Sequence, residues 1–117
     1  MNENELAAKI CELLDEKKAL NIVKIDLKDL TIIADYFVIA SARSTTAVKA
    51  LANYLDEKLS LLSHPPRRME GMGEGRWVAC DYGTVIVHIF FEETRAFYQL
   101  ERLWTDGRNV TFIGASD

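Results

Sequence analysis

Cysteine and histidine are scarce in this chain, and their placement excludes several kinds of site. Two cysteines occur in 117 residues, Cys11 and Cys80. They stand far apart, in no CxxC or Cys/His spacing, so neither a disulfide framework nor a zinc site is expected. Both have apolar neighbours and read as buried free thiols of a reducing compartment. Histidine also occurs twice: His64 beside Pro65-Pro66 in a loop, and His88 inside an apolar run with no second ligand two or four residues away. No apolar stretch approaches the roughly 20 residues of a membrane span. The opening Met1-Asn2-Glu3-Asn4-Glu5 has neither the layout of a signal peptide nor the basic character of a transit peptide. A cytoplasmic protein without a membrane partner is expected. A basic field is missing too, since 14 Lys and Arg face 18 Asp and Glu for a net charge of −4. Counterion release from phosphates supplies most nucleic-acid affinity, so no direct nucleic-acid binding is expected. The pair Arg67-Arg68 reads as a solvated loop.

Hydrophobic residues make up 49% and charged residues 27% of the chain, the balance of a globular domain. Residues 1–107 are expected to form that single domain and residues 108–117 a C-terminal tail. Leu6, Ile10, Leu13 and Leu14 mark one stripe of a first helix over about 4–18, with Asn4 as its cap. Residues 22–27 alternate, with Val23, Ile25 and Leu27 on one side, as a half-exposed strand does. Tyr36 to Ala40 is an unbroken β-branched and aromatic run, suited to a central strand covered on both faces. Ser44 then caps a long helix carrying Val48, Leu51, Leu55, Leu59 and Leu62. Residues 63–75 are loop, with room for one short edge strand. Trp77–Asp81 and Thr84–Phe90 read as a hairpin across Tyr82-Gly83. Glu92-Glu93 open a third helix with Ala96, Phe97, Leu100, Leu103 and Trp104 inward, stopped by Thr105-Asp106-Gly107. Val110 to Ile113 either pairs as an edge strand or is mobile. This order predicts an α/β (α+β) fold, a mixed β-sheet flanked by helices.

Catalytic templates fail on these residues. No strand-turn-helix nucleophile elbow is present, and neither histidine has an obvious nucleophile to serve. Gly71-Met72-Gly73-Glu74-Gly75 is flanked by acids and followed by a strand, unlike a phosphate cradle. Ile39-Ala40-Ser41-Ala42 before a capped helix resembles the place where nucleotidyltransferases carry Gly-Ser. Those enzymes also need paired carboxylates to hold Mg²⁺, and Asp81 stands alone. No metal and no cofactor are expected.

Surface chemistry remains. On the second hairpin strand Ile86, His88 and Phe90 share one face, and Trp77 lies across from them; Val85, Val87 and Ile89 on the other face are core. His88 is either a sheet-face histidine bonded to a neighbour or a partner contact, and Trp77 and Trp104 are either core or interface. Arg95, Tyr98 and Arg102 form an outward stripe on the third helix, with Glu101 beside it. Trp, Tyr and Arg anchor interfaces because they bury area while keeping a polar handle.

These residues carry a family resemblance. Asp35-Tyr36-Phe37-Val38-Ile39-Ala40-Ser41, Glu70-Gly71, Trp77-Val78 with Asp81-Tyr82-Gly83, Val87-His88-Ile89-Phe90, and the run from Arg95 to Trp104 resemble successive blocks of the ribosomal silencing factor (RsfS/Iojap) family. The resemblance spans about residues 5–106. Ala42 departs from a common Gly, Thr84 from a common acid and Gly107 from a common Ala. The resemblance implies a nucleotidyltransferase-like fold without the catalytic carboxylates. It also implies a partner, the large ribosomal subunit met through ribosomal protein fourteen, and an effect, blocked joining of the small subunit that lowers translation when nutrients are short. It allows a homodimer. The expected partner-binding residues are Trp77, Asp81, Tyr82, His88 and Phe90 on the hairpin, with Arg95, Tyr98, Glu101, Arg102 and Trp104 on the helix. The alternatives are a nucleotide-binding or nucleotidyltransferase-like enzyme on the same scaffold, and an adaptor whose aromatic face serves self-association.

Overall fold

Three helices and six strands follow one another in a computed structural model that describes residues 1–98, with side chains to residue 95, and residues 108–113. Helix α1 spans Glu3–Glu16. Its cap is Asn2 and not Asn4: Asn2 Oδ1 accepts from the Glu5 amide at 2.8 Å, and Glu5 Oε1 accepts from the Asn2 amide at 2.9 Å. This reciprocal pair satisfies two donors that a helix start otherwise leaves open. Asn4 is free for a tertiary role and accepts from the Tyr36 hydroxyl at 3.2 Å.

Strands β1 (Leu20–Asp26) and β2 (Tyr36–Ala42) follow, then α2 (Thr45–Leu61). Ser44 caps α2, its Oγ accepting from the Ala47 amide at 3.0 Å. The helix ends before Leu62, so that residue is a half-exposed cap and not part of the buried stripe. The short β3 (Arg68–Glu70), the hairpin strands β4 (Trp77–Asp81) and β5 (Val85–Phe91), helix α3 (Glu92–Tyr98) and β6 (Val110–Ile113) complete the order. The expected inward face of the third helix from Ala96 onward, and its stop at residues 105–107, lie outside the described side chains.

The strands form one sheet in the order β3-β4-β5-β2-β1-β6. Among the described strands only β2 and β5 run parallel; the other four pairs are antiparallel. A parallel neighbour needs a crossover, and α2 supplies it, packed on the sheet beside α1. All seven residues of β2 are buried, as their unbroken apolar run predicts. Tyr36, Val38 and Ala40 of β2 and Val85, Val87 and Ile89 of β5 meet Ile10 and Leu14 of α1 and Val48, Leu55 and Leu59 of α2. Cys11 and Cys80 are free thiols in this layer. The opposite face is apolar as well: Val23, Ile25, Leu27, Phe37, Ile39 and Phe90 form a second cluster. Strand β6 pairs with β1, Val110 beside Ile25 and Phe112 beside Val23, and so forms an edge of the sheet.

Candidate functional site

The β4–β5 hairpin is set by its turn. Asp81 Oδ1 accepts from the Gly83 amide at 2.8 Å, Gly83 takes φ 87°, and the Tyr82 amide donates to Val85 O at 2.9 Å. Asp81 is therefore a turn-forming acid, and the left-handed residue is the glycine, for which that conformation carries no Cβ penalty. The Tyr82 ring packs into the helix-side core. Its buried hydroxyl has no hydrogen-bond partner among the described residues, and burial pushes the phenol pKa up.

In this register Trp77 sits opposite Phe90, and His88 opposite Ala79 and beside Ile39 of β2. Four rings meet on the second face of the sheet. Trp77 stacks on Phe90 with centroids 5.0 Å apart, and Phe37 meets His88 edge-on at 4.8 Å and 76°. Trp77 Nε1 donates to His88 Nδ1 at 3.0 Å. The indole nitrogen can only donate, so Nδ1 must be bare and the imidazole proton must sit on Nε2. Nε2 is buried without a hydrogen-bond partner among the described residues. Burial disfavours the charged ring and lowers its pKa to about 4, so it is neutral at pH 7. His88 is thus a sheet-face histidine bonded to a neighbour, and its geometry is that of a fixed acceptor. The expectation that Phe90 lies on an open face is corrected: its exposure is 0% and that of His88 8%. Trp77 remains half-buried and is the part of this cluster that reaches the surface.

Arg95 does not project outward as the helical stripe suggested. Its Nη1 donates to Asn21 O at 2.6 Å and to Ser41 Oγ at 2.9 Å. Asn21 has φ 49° at an irregularity in β1, so Arg95 ties α3 to the point where β1 departs from regular pairing. The side chain of Tyr98, and Glu101, Arg102 and Trp104, lie outside the described residues. Among the described residues no three His, Cys, Asp or Glu side chains come together as metal ligands, and no helix is long and apolar enough to cross a membrane.

One surface feature stands outside the periodic patterns of the sequence. The β1–β2 connection exposes Leu30, Ile32 and Ile33, with Ile32 fully in solvent at 104%. The loop is nonetheless ordered by its own bonds: the Leu30 and Thr31 amides both donate to Leu27 O, and the Ile33 amide to Thr31 Oγ1. Three aliphatic residues within four positions of a turn, where polar residues are usual, were the available signal.

Residues 1–116 match the model of a family described as "Ribosomal silencing factor during starvation". The chain belongs to the ribosomal silencing factor family. It is 36% identical to the ribosomal silencing factor of Halalkalibacterium halodurans over 114 residues, 97% of each chain. It is 40% identical to that of Zymomonas mobilis over 98 residues, 84% of this chain and 74% of the other. A mouse relative named "Mitochondrial assembly of ribosomal large subunit protein 1" is 34% identical, over 82% of this chain and 43% of its own. The crystal structure of a Chromobacterium violaceum protein superposes with a TM-score of 0.87 at 31% identity, covering 99% of this chain and 96% of that one. The mixed six-stranded sheet is thus a fold this silencing-factor chain shares with a solved relative.

Proposed function

We propose that this silencing factor docks on the large ribosomal subunit through ribosomal protein fourteen and, by its volume alone, keeps the small subunit from joining, which lowers translation when nutrients are short. The observation that carries the reading is the family match over residues 1–116, whose description joins ribosome silencing to starvation. The name of the mouse relative adds the large subunit. The physics of a plug is consistent with the body itself, which measures 34 × 33 × 25 Å. Two surfaces that must touch cannot close over an object of that size, so occupancy suffices without turnover. We place the docking face on the hairpin and α3 side: Trp77 and Asp81 contribute from the hairpin, and the family resemblance adds Tyr98, Glu101, Arg102 and Trp104 as expected contacts. His88 and Phe90 pack against Trp77, Tyr82 lies in the helix-side core, and Arg95 ties α3 to β1 and β2. The site of action is the cytoplasm, and a homodimer would have to leave this face open to be active.

The nucleotidyl-transfer alternative needs two carboxylates around a divalent ion. Asp81 is committed to its own turn through Gly83, and among the described residues no three His, Cys, Asp or Glu side chains come together to hold a metal ion. Co-sedimentation with large subunits, followed by light scattering on addition of small subunits, tests the plug. The protein should travel with the large subunit and reduce joining in proportion to occupancy, without nucleotide. An acidic protein on a basic partner should also bind more slowly as salt rises. Failure to co-sediment, or undiminished joining at full occupancy, would refute it.

A further inference from the structure

Between the α1–β1 turn, the end of β2 and α2 from Ala47 to Glu57 lies an open groove of about 640 Å³. That is within the roughly 300–1,000 Å³ of small-molecule sites. Leu20, Ala42, Ala47 and Ala50 give it a floor without side-chain polar atoms. The rim is different. Lys17, Lys18 and Arg43 stand there against Glu57 in the lining and Glu16 behind the Tyr54 hydroxyl, in a chain whose net charge is −4. Lys17 Nζ rests over the Tyr54 ring at 4.7 Å, and the Tyr54 hydroxyl donates to Glu16 Oε1 at 2.8 Å, which fixes that wall. Lys18 and Arg43 have no ion-pair partner among the described residues. The Asn53 side chain also lines the groove, with an amide that both donates and accepts.

We propose that this groove binds a nucleoside phosphate. A planar base needs one apolar surface and leaves its edges polar, which suits an alanine floor beside an amide. An acyl chain would instead need an enclosed tunnel to leave water, and this groove is open. Several cations in one lining suit a polyphosphate better than a single carboxylate. A surface tracking an RNA backbone would need only the basic rim, not the apolar concavity. The proposal is independent of ribosome docking and is tested on the isolated protein, so either can fail alone.

Lys18 offers a variant that separates binding from folding. It takes φ 60° where α1 ends, with its amide on Asp15 O and the Ala19 amide on Leu14 O. Glycine is the residue best suited to that position. Ser63 holds φ 64° at the matching end of α2, so the conformation marks a helix end and does not itself mark a site. Lys18→Gly should therefore melt higher without ligand and yet bind more weakly. The measurement is calorimetric titration and thermal melting of the full chain with ATP, AMP, inorganic phosphate and dodecanoate. ATP should bind and raise the melting temperature, AMP should bind more weakly, and phosphate alone should give no shift. Lys18→Gly and Arg43→Gln should each weaken ATP by about tenfold, the loss of one charge-assisted contact. Ala50→Met, which fills the floor from an exposed helical position, should abolish the ATP effect. The proposal is overturned if ATP gives no heat and no shift at about 1 mM, a concentration matching a binding free energy near −4 kcal/mol. It is equally overturned if all three variants keep wild-type affinity, or if dodecanoate binds and ATP does not.

Discussion

Acid should destabilise this protein through one imidazole. His88 is buried, holds its Nδ1 against the Trp77 indole, and has a pKa lowered from 6.5 to about 4 by burial. Between those values the unfolded chain binds a proton that the folded chain refuses. The free energy of unfolding is therefore complete above pH 6.5, falls as the pH falls toward 4, and loses nothing further from this group below 4. At about 1.4 kcal/mol per unit the whole effect is about 3.4 kcal/mol, and about 2 kcal/mol of it is already lost at pH 5. Carboxylates titrate over part of the same range, so the reference is His88→Gln, whose amide oxygen can still accept from Trp77 Nε1 and which cannot ionise. Urea unfolding of both proteins at pH 7.5, 6 and 5 should show the wild type losing about 2 kcal/mol more than the variant, a quantity a two-state domain reports readily. Parallel losses in the two proteins, or a native-state His88 resonance titrating near 6.5, would refute the argument.

Four further outcomes follow from the same structure. Burial pushes Cys11 to about 11 and Cys80 to about 12, so at pH 8 a thiol reagent should modify both only at the rate of unfolding; a fast phase in the native protein would contradict this. A Cβ on Gly71, whose φ is 93°, would run into the carbonyl oxygen of Trp77, so Gly71→Ala should cost about 2 kcal/mol or more in urea and alter tryptophan emission. Arg95→Ala should cost about 1–2 kcal/mol by removing charge-assisted bonds to Asn21 O and Ser41 Oγ, and Arg95→Lys should recover little of it; unchanged stability in the alanine variant would show that the clamp carries no load. Lys18→Gly should raise stability by about 0.5–1 kcal/mol, read as a higher urea midpoint at constant slope.

Much of the fold was legible because it is written in local periods. The stripes of α1 and α2 come from apolar residues at helical spacing, and β2 from a run too short and too β-branched to be anything else. Tyr82-Gly83 set the hairpin, and with it the opposition of Trp77 to Phe90. The family blocks identified the chain for the same reason, being short segments at fixed distances. The cap at Asn2 is legible in principle, since Glu5 follows it by three, the spacing of a reciprocal cap.

By itself, then, the sequence determined which residues become helix or strand and which side chains share a face, because those follow from backbone geometry within a few residues. It could not decide whether a face is covered. The alternation of Ile86, His88 and Phe90 is the same on an open sheet as beneath other chain, and only the assembled molecule leaves Phe90 with no exposure and His88 with a depressed pKa. The turning-in of Arg95 is likewise tertiary, because its acceptors lie 74 and 54 residues away. So is the groove at Lys18 and Arg43, whose walls come from separate elements. Burial and long-range partners depend on where distant segments come to rest, and no local period encodes that.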